Sequence, residues 1–170
     1  MKLKGFVGGA LLTMVAAQAD AATIWQKVET GMTRAQVEAI YPKGGDVDYR
    51  EKVVHFDHVV VTGKCKADAD VTFDDGGIVS GVNLSGNGSL GGRCADDVLT
   101  ALSSKYGQPS VASGKEGSIL QRKGTVYVWN RGDGLTMRFK NYGDGAFGGG
   151  GLGRKSWELR YSAAGEAIGL

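Results

Sequence analysis

The residue types that chemistry needs gather in a few places along the 170 residues. His55-Phe56-Asp57-His58 sets two imidazoles around a carboxylate, which is the donor chemistry of a transition-metal site. On a regular strand, however, His55 and Asp57 point one way, and Phe56 and His58 the other. Two such ligands meet one metal only if a bulge intervenes. The expectation is therefore an ordinary strand, with no metal and no cofactor. The glycine run GDGAFGGGGLGRKS matches G-x-G-x-x-G at Gly148, Gly150 and Gly153. A phosphate site of that kind needs a helix directly after it, so that the helix N–H groups face the phosphate. The next segment is instead SWELRYS, a strand pattern, and Arg154 sits where a Walker lysine belongs. The acidic stretch DADVTFDDGG lacks the EF-hand order from Asp68, which requires Gly at the sixth position. It reads as a turn with a solvated acidic face. No G-x-S-x-G elbow occurs.

Cys65 and Cys94 are the only cysteines. In an exported chain an even count points to a disulfide. It would close a loop of about 30 residues and stabilise by roughly 3–4 kcal/mol in the chain-entropy model. The rival is a metal site with His55 and His58. A reactive Cys94–His55 pair is also imaginable, but a disulfide removes the thiolate. Export itself is read from the N-terminus. MKLK supplies positive charge, GFVGGALLTMVAA a short apolar core, and AQADAA small residues, which is the layout of a secretory signal peptide over residues 1–21. Cleavage fits after Ala19 or Ala21. The run is too short to span a bilayer comfortably, and no other span occurs later in the chain. No lipid-anchor Cys lies near the cleavage site. The expected location is periplasmic or secreted.

The remaining composition is that of a globular protein, 42% apolar and 22% charged. The formal charge is +2, from 20 basic and 18 acidic residues. With no basic run or stripe, nucleic acid is not an expected partner.

The elements that would position these residues can be read from periodicity. TIWQKVE places Ile24, Trp25 and Val28 at helical spacing and predicts a short helix. TGMTRAQVEAIYP predicts a second. Thr33 is its N-cap, Gln36 completes a capping box, and Met32 staples onto Val37. Val37, Ile40 and Tyr41 form its face, and Pro42 stops it. KVVHFDHVVV predicts a strand interrupted at Asp57-His58. ADADVTFDDGGIVSGVNLS predicts a hairpin about Asp74 to Gly77. SGNGSLGG reads as a connector, and CADDVLTALSSKYGQP as a helix. Its apolar stripe is Val98, Leu99, Leu102 and Tyr106, Asp96 and Asp97 favour its positive end, and Gly107 and Pro109 stop it. TVYVWN, LTMRFKN and SWELRYS then predict strands, with Leu135, Met137 and Phe139 on one face and Trp157, Leu159 and Tyr161 likewise.

This order predicts an α+β fold of two tandem helix–antiparallel-sheet units, residues 22–86 and 87–164, with helices packed on one sheet face and residues 165–170 as a tail. The uncovered face would carry Thr125, Tyr127 and Trp129 beside Thr136, Arg138, Lys140, Glu158 and Arg160. Tyr127, Trp129, Arg138 and Arg160 are the expected partner-binding residues, since aromatic residues and Arg concentrate at binding hot spots. The opposite phase of that strand puts Tyr127 and Trp129 in the core, with Val126 and Val128 outside.

TGMTRAQVEAIYP resembles the helix entry of the SmpA/OmlA family of outer-membrane assembly lipoproteins. VTFDDGGIVSGVNL resembles that group's Phe-x-Asp-Gly turn, and YGQP its helix exit. The family shares its fold with the β-lactamase inhibitor proteins. The resemblance implies a non-catalytic envelope protein that binds another envelope or secreted protein. The two rival functions are an inhibitor of an exported hydrolase and an envelope enzyme. The enzyme would need two or more convergent titratable groups in a pocket, and the sequence shows none.

Overall fold

In the computed structural model the described residues are 22–40, 45–47, 52–87, 91–114, 124–142 and 155–163. The signal peptide, Tyr41, Pro42, the Gly148–Gly153 match and the 165–170 tail lie outside them. The elements are β1 (Thr23–Trp25), β2 (Val28–Glu29), α1 (Arg34–Ile40), β3 (Gly45–Val47), β4 (Val53–Thr62), β5 (Cys65–Phe73) and β6 (Val79–Asn87), then α2 (Gly91–Tyr106), β7 (Ser110–Gly114), β8 (Gly124–Asn130), β9 (Leu135–Asn141) and β10 (Lys155–Ala163).

The two-unit expectation is overturned. Strands from both halves form one 8-stranded sheet in the order β3-β4-β5-β6-β10-β9-β8-β7. Every pairing in it is antiparallel. The decisive pairing is β6 with β10, from Ser162↔Gly81 to Lys155↔Asn87. It fuses the hairpin of the first half to the meander of the second. Among the described residues the fold is mostly β, with two helices and a separate 2-stranded β1–β2 sheet.

Alternation sorts each strand into a buried and an open face. Trp129, Met137, Tyr161, Val82, Val71 and Val54 stand in cross-strand register from β8 to β4 and are all buried. Phe139, Leu159, Leu84, Ala69 and Phe56 make a second buried row. Fully burying a side chain such as Leu84 or Val71 contributes roughly 1.5–3 kcal/mol. α2 covers these rows through Ala95, Val98 and Leu102, with Leu99 and Tyr106 partly buried beside them. Ile24, Trp25, Val28 and Val37 complete the same core.

The helix expected from CADDVLTALSSKYGQP begins earlier than its sequence suggests. It starts at Gly91, so Asp96 and Asp97 lie beyond its first turn and cannot act on its N-terminal dipole. Ser85 to Asn87, expected in a connector, extend β6. The helix ends as expected. Gly107 has φ +81°, and its N–H donates to the Ser103 carbonyl at 2.9 Å. TIWQKVE is not a helix. It is the β1–β2 hairpin, with Gln26 at φ +49°. Ile24, Trp25 and Val28 reach the core from that hairpin just as they would from a helix, which is why their spacing misleads. In α1 the Thr33 N–H donates to Gln36 Oε1 at 2.7 Å, the half of the capping box that the glutamine supplies. The Asp74 turn also forms. Asp74 Oδ1 accepts from the N–H groups of Gly76 and Ile78, each at 2.9 Å.

The expected disulfide joins Cys65 to Cys94, with the Cα atoms 5.5 Å apart. It ties the start of β5 to the first turns of α2.

One glycine is fixed by close approach. A Cβ on Gly86 would overlap Nε1 and Cε2 of Trp157 and lie 2.8 Å from its Cζ2. The fully buried Trp157 ring therefore lies directly over the β6 backbone at the seam, beside Phe139 at 5.9 Å between centroids. Gly86→Ala should cost about 1–3 kcal/mol, the scale of overpacking a core. Urea unfolding of the variant measures this, and a loss below about 0.5 kcal/mol would contradict the close approach.

Candidate functional site

The second face of the sheet is polar. One row crosses it in register: Val128, Arg138, Arg160, Asn83, Asp70 and His55, from β8 to β4. A flanking row holds Val126, Lys140, Glu158, Ser85 and Asp68, of which Val126 and Ser85 are buried. Charge is uneven along these rows. Arg138, Lys140 and Arg160 lie on β9 and β10, with Glu158 opposite Lys140, whereas Asp57, Asp68 and Asp70 lie on β4 and β5 with His55, His58 and Lys66.

Of the expected partner-binding residues, Arg138 and Arg160 occupy this open face, directly opposite each other. Trp129 and Tyr127 do not. Trp129 pairs with Met137 and Tyr127 with Phe139, so both take the core phase. Trp129 is 4% exposed, and its Nε1–H donates to the Gly107 carbonyl at 2.9 Å. Tyr127 is half-buried against the core. Val126 and Val128 are the residues on the other face. The β-branched and aromatic residues of GTVYVWN suit either phase, and only the β9 register decides between them.

The acidic pole is built by a bulge. Phe56 pairs with Ala69 and Val59 with Ala67, so Asp57 and His58 together oppose Asp68. His58 has φ +55°, and its N–H donates to Asp68 Oδ1 at 3.2 Å instead of joining the ladder. The interruption read from the sequence at Asp57-His58 is this bulge. It also removes the objection that a regular strand sends these side chains apart. Donor atoms of Asp57, His58 and Asp68 all lie within 4.8 Å of one another. They are the described residues whose placement could hold a metal, and two of the three are exposed.

His55 sits between two carboxylates. Its Nδ1 lies 2.6 Å from Asp70 Oδ1, and its Nε2 lies 3.0 Å from Asp57 Oδ1. A ring with an acceptor at each nitrogen is satisfied at both only as imidazolium. The Asp70 hydrogen bond accordingly raises the His55 pKa above the ordinary 6.5, partial burial opposes it, and Asp57 adds to the rise. The two carboxylates orient the imidazole and favour its protonated form.

No family model matches the chain, and no curated protein is significantly similar to it. One solved structure is similar in part, the crystal structure of a DUF4309 family protein, YjgB, from Bacillus subtilis subsp. subtilis str. 168. The identity is 15%, 77% of this chain and 78% of that chain are covered, and the TM-score is 0.41. A likeness this distant carries no argument about family or function.

Because the folded pKa of His55 is raised, its contribution to stability is complete below the unfolded value near 6.5 and is lost as pH rises through the folded pKa. NMR titration of the His55 ring should give a midpoint above 6.5 that falls in Asp70→Asn. The stability gap between the two proteins should be smaller at high pH than near pH ~6. An unshifted midpoint in the native chain would contradict the pairing.

Proposed function

We propose that the protein is an exported, non-catalytic module that binds another protein of the cell envelope through the open sheet face. The observation that carries this reading is the uneven charge of that face: Arg160, which is exposed, stands opposite Arg138 on the β9–β10 side, and Asp57, Asp68 and Asp70 lie at the β4–β5 end. An acidic surface on a partner complements the Arg160 end. The His55–Asp70 pole in the same row complements a basic patch on the same partner. A face polarised in this way favours one orientation of docking and rejects others, which is what electrostatic complementarity contributes to recognition. Tyr127 and Trp129 have no part in it. The Cys65–Cys94 disulfide supports export, because such bonds persist in oxidising compartments. The short motifs shared with the SmpA/OmlA family agree with an envelope role as a resemblance.

The test is site-specific photo-crosslinking in the envelope. A benzoylphenylalanine replacing Arg160 should capture a discrete partner, and the same group replacing Glu38 or Ser104, exposed on the helices, should not. Capture should weaken with added salt, since exposed charges are screened over about 10 Å at 0.1 M. Equal capture from the helix positions, or none from Arg160, would overturn the proposal.

A further inference from the structure

The helix side of the sheet holds a half-open pocket of about 270 Å³. β1, the end of β4, α2 and β10 enclose it. Ile24, Trp25 and Leu102 give it apolar walls, and Lys105, Tyr106 and Tyr161 give it polar ones. Its volume lies just below the roughly 300–1,000 Å³ usual for small-molecule sites, which suits a small ligand.

Two features of the walls point to a ligand. Tyr161 is 6% exposed and lines the pocket, yet its hydroxyl makes no hydrogen bond among the described residues. The hydroxyl keeps some accessible surface and is free to bond to solvent or to a ligand. Positive charge gathers at the Tyr106 wall of the same pocket. Lys105 Nζ and Arg131 Cζ lie 5.0 and 5.4 Å from the Tyr106 ring centroid. Arg131 is committed to Asp133 and to the Thr23 carbonyl. Lys105 has no carboxylate partner among the described residues.

We infer that this pocket binds a small amphiphile with an anionic head, a medium-chain carboxylate, with its chain among Ile24, Trp25 and Leu102 and its head between Lys105 and the Tyr161 hydroxyl. Apolar walls select the chain. Lys105 selects the sign of the head, because an ammonium attracts a carboxylate and repels a cation. Tyr161 supplies a donor, and burial of the side chain raises its pKa, which keeps the proton on the oxygen. The site lies across the sheet from the Arg138–Arg160 face and stands or falls separately from the proposed protein partner.

Calorimetric titration of the full mature chain with sodium octanoate tests it, with n-octanol and octyltrimethylammonium as comparators. Octanoate should bind saturably at one site and more tightly than either comparator. Lys105→Glu should weaken it about tenfold, the scale of one charge-assisted contact, and Tyr161→Phe about fivefold, the scale of one neutral hydrogen bond. Ala101→Trp, at an exposed position on the rim, should abolish binding while leaving the fold intact. No saturable octanoate binding overturns the inference. So does octanol or the ammonium binding as tightly, or Lys105→Glu leaving the affinity unchanged.

Discussion

The pairing of β6 with β10 is the constraint on which the other features depend. Without it the chain is a β4–β5–β6 hairpin array and a β8–β9–β10 meander, each with open edges that invite misassociation. With it, the buried rows run unbroken from Trp129 to Val54 and from Phe139 to Phe56. The seam needs Trp157 to lie flat on the strand beside it, and Gly86 is what permits that approach. The indole N–H has no hydrogen-bond partner there, so the ring is held by packing alone. Joining distant segments of the chain costs loop-closure entropy, which the Cys65–Cys94 link reduces by fixing α2 against β5.

Fusing the halves also decides what the protein can present. A single sheet with α2, α1 and the β1–β2 hairpin on one side leaves the other side to a row of mostly polar groups among the described residues, although Val126, Ser85 and Ser162 on it are buried. The register then lines up Arg138, Arg160, Asn83, Asp70 and His55 from separate strands. Rigid strands hold these groups more firmly than loops would. The bulge at His58 sharpens the acidic pole by bringing Asp57 and His58 onto the same side.

Much of this is legible in local pattern. Alternation in Ala69-Val71-Phe73, Leu135-Met137-Phe139 and Trp157-Leu159-Tyr161 reads correctly because one face of each strand is buried and the other is polar. The Asp74 turn, the Gly107 stop and the disulfide rest on chemistry within a few residues or on cysteine count alone. What sequence cannot carry is which strand meets which. Helices preceding strands in each half suggest two units, and nothing in SWELRYS says that its partner is VSGVNLSGN across the intervening helix. Trp129 misleads for a related reason, since GTVYVWN has apolar residues on both faces and its phase is set by β9. TIWQKVE misleads because three apolar residues at helical spacing serve a tight hairpin equally well. The acidic pole is half legible. The interruption at Asp57-His58 is visible, but its effect on side-chain direction emerges only when Asp68 is found opposite.

Native-state hydrogen exchange across a urea series tests the single-sheet account most directly. The slowest amides should lie in β5, β6, β9 and β10, and should converge on one opening free energy equal to that of global unfolding. Two groups of amides, those of β5–β6 and those of β9–β10, opening at separate free energies would mean that the halves are independent units, and would contradict the account.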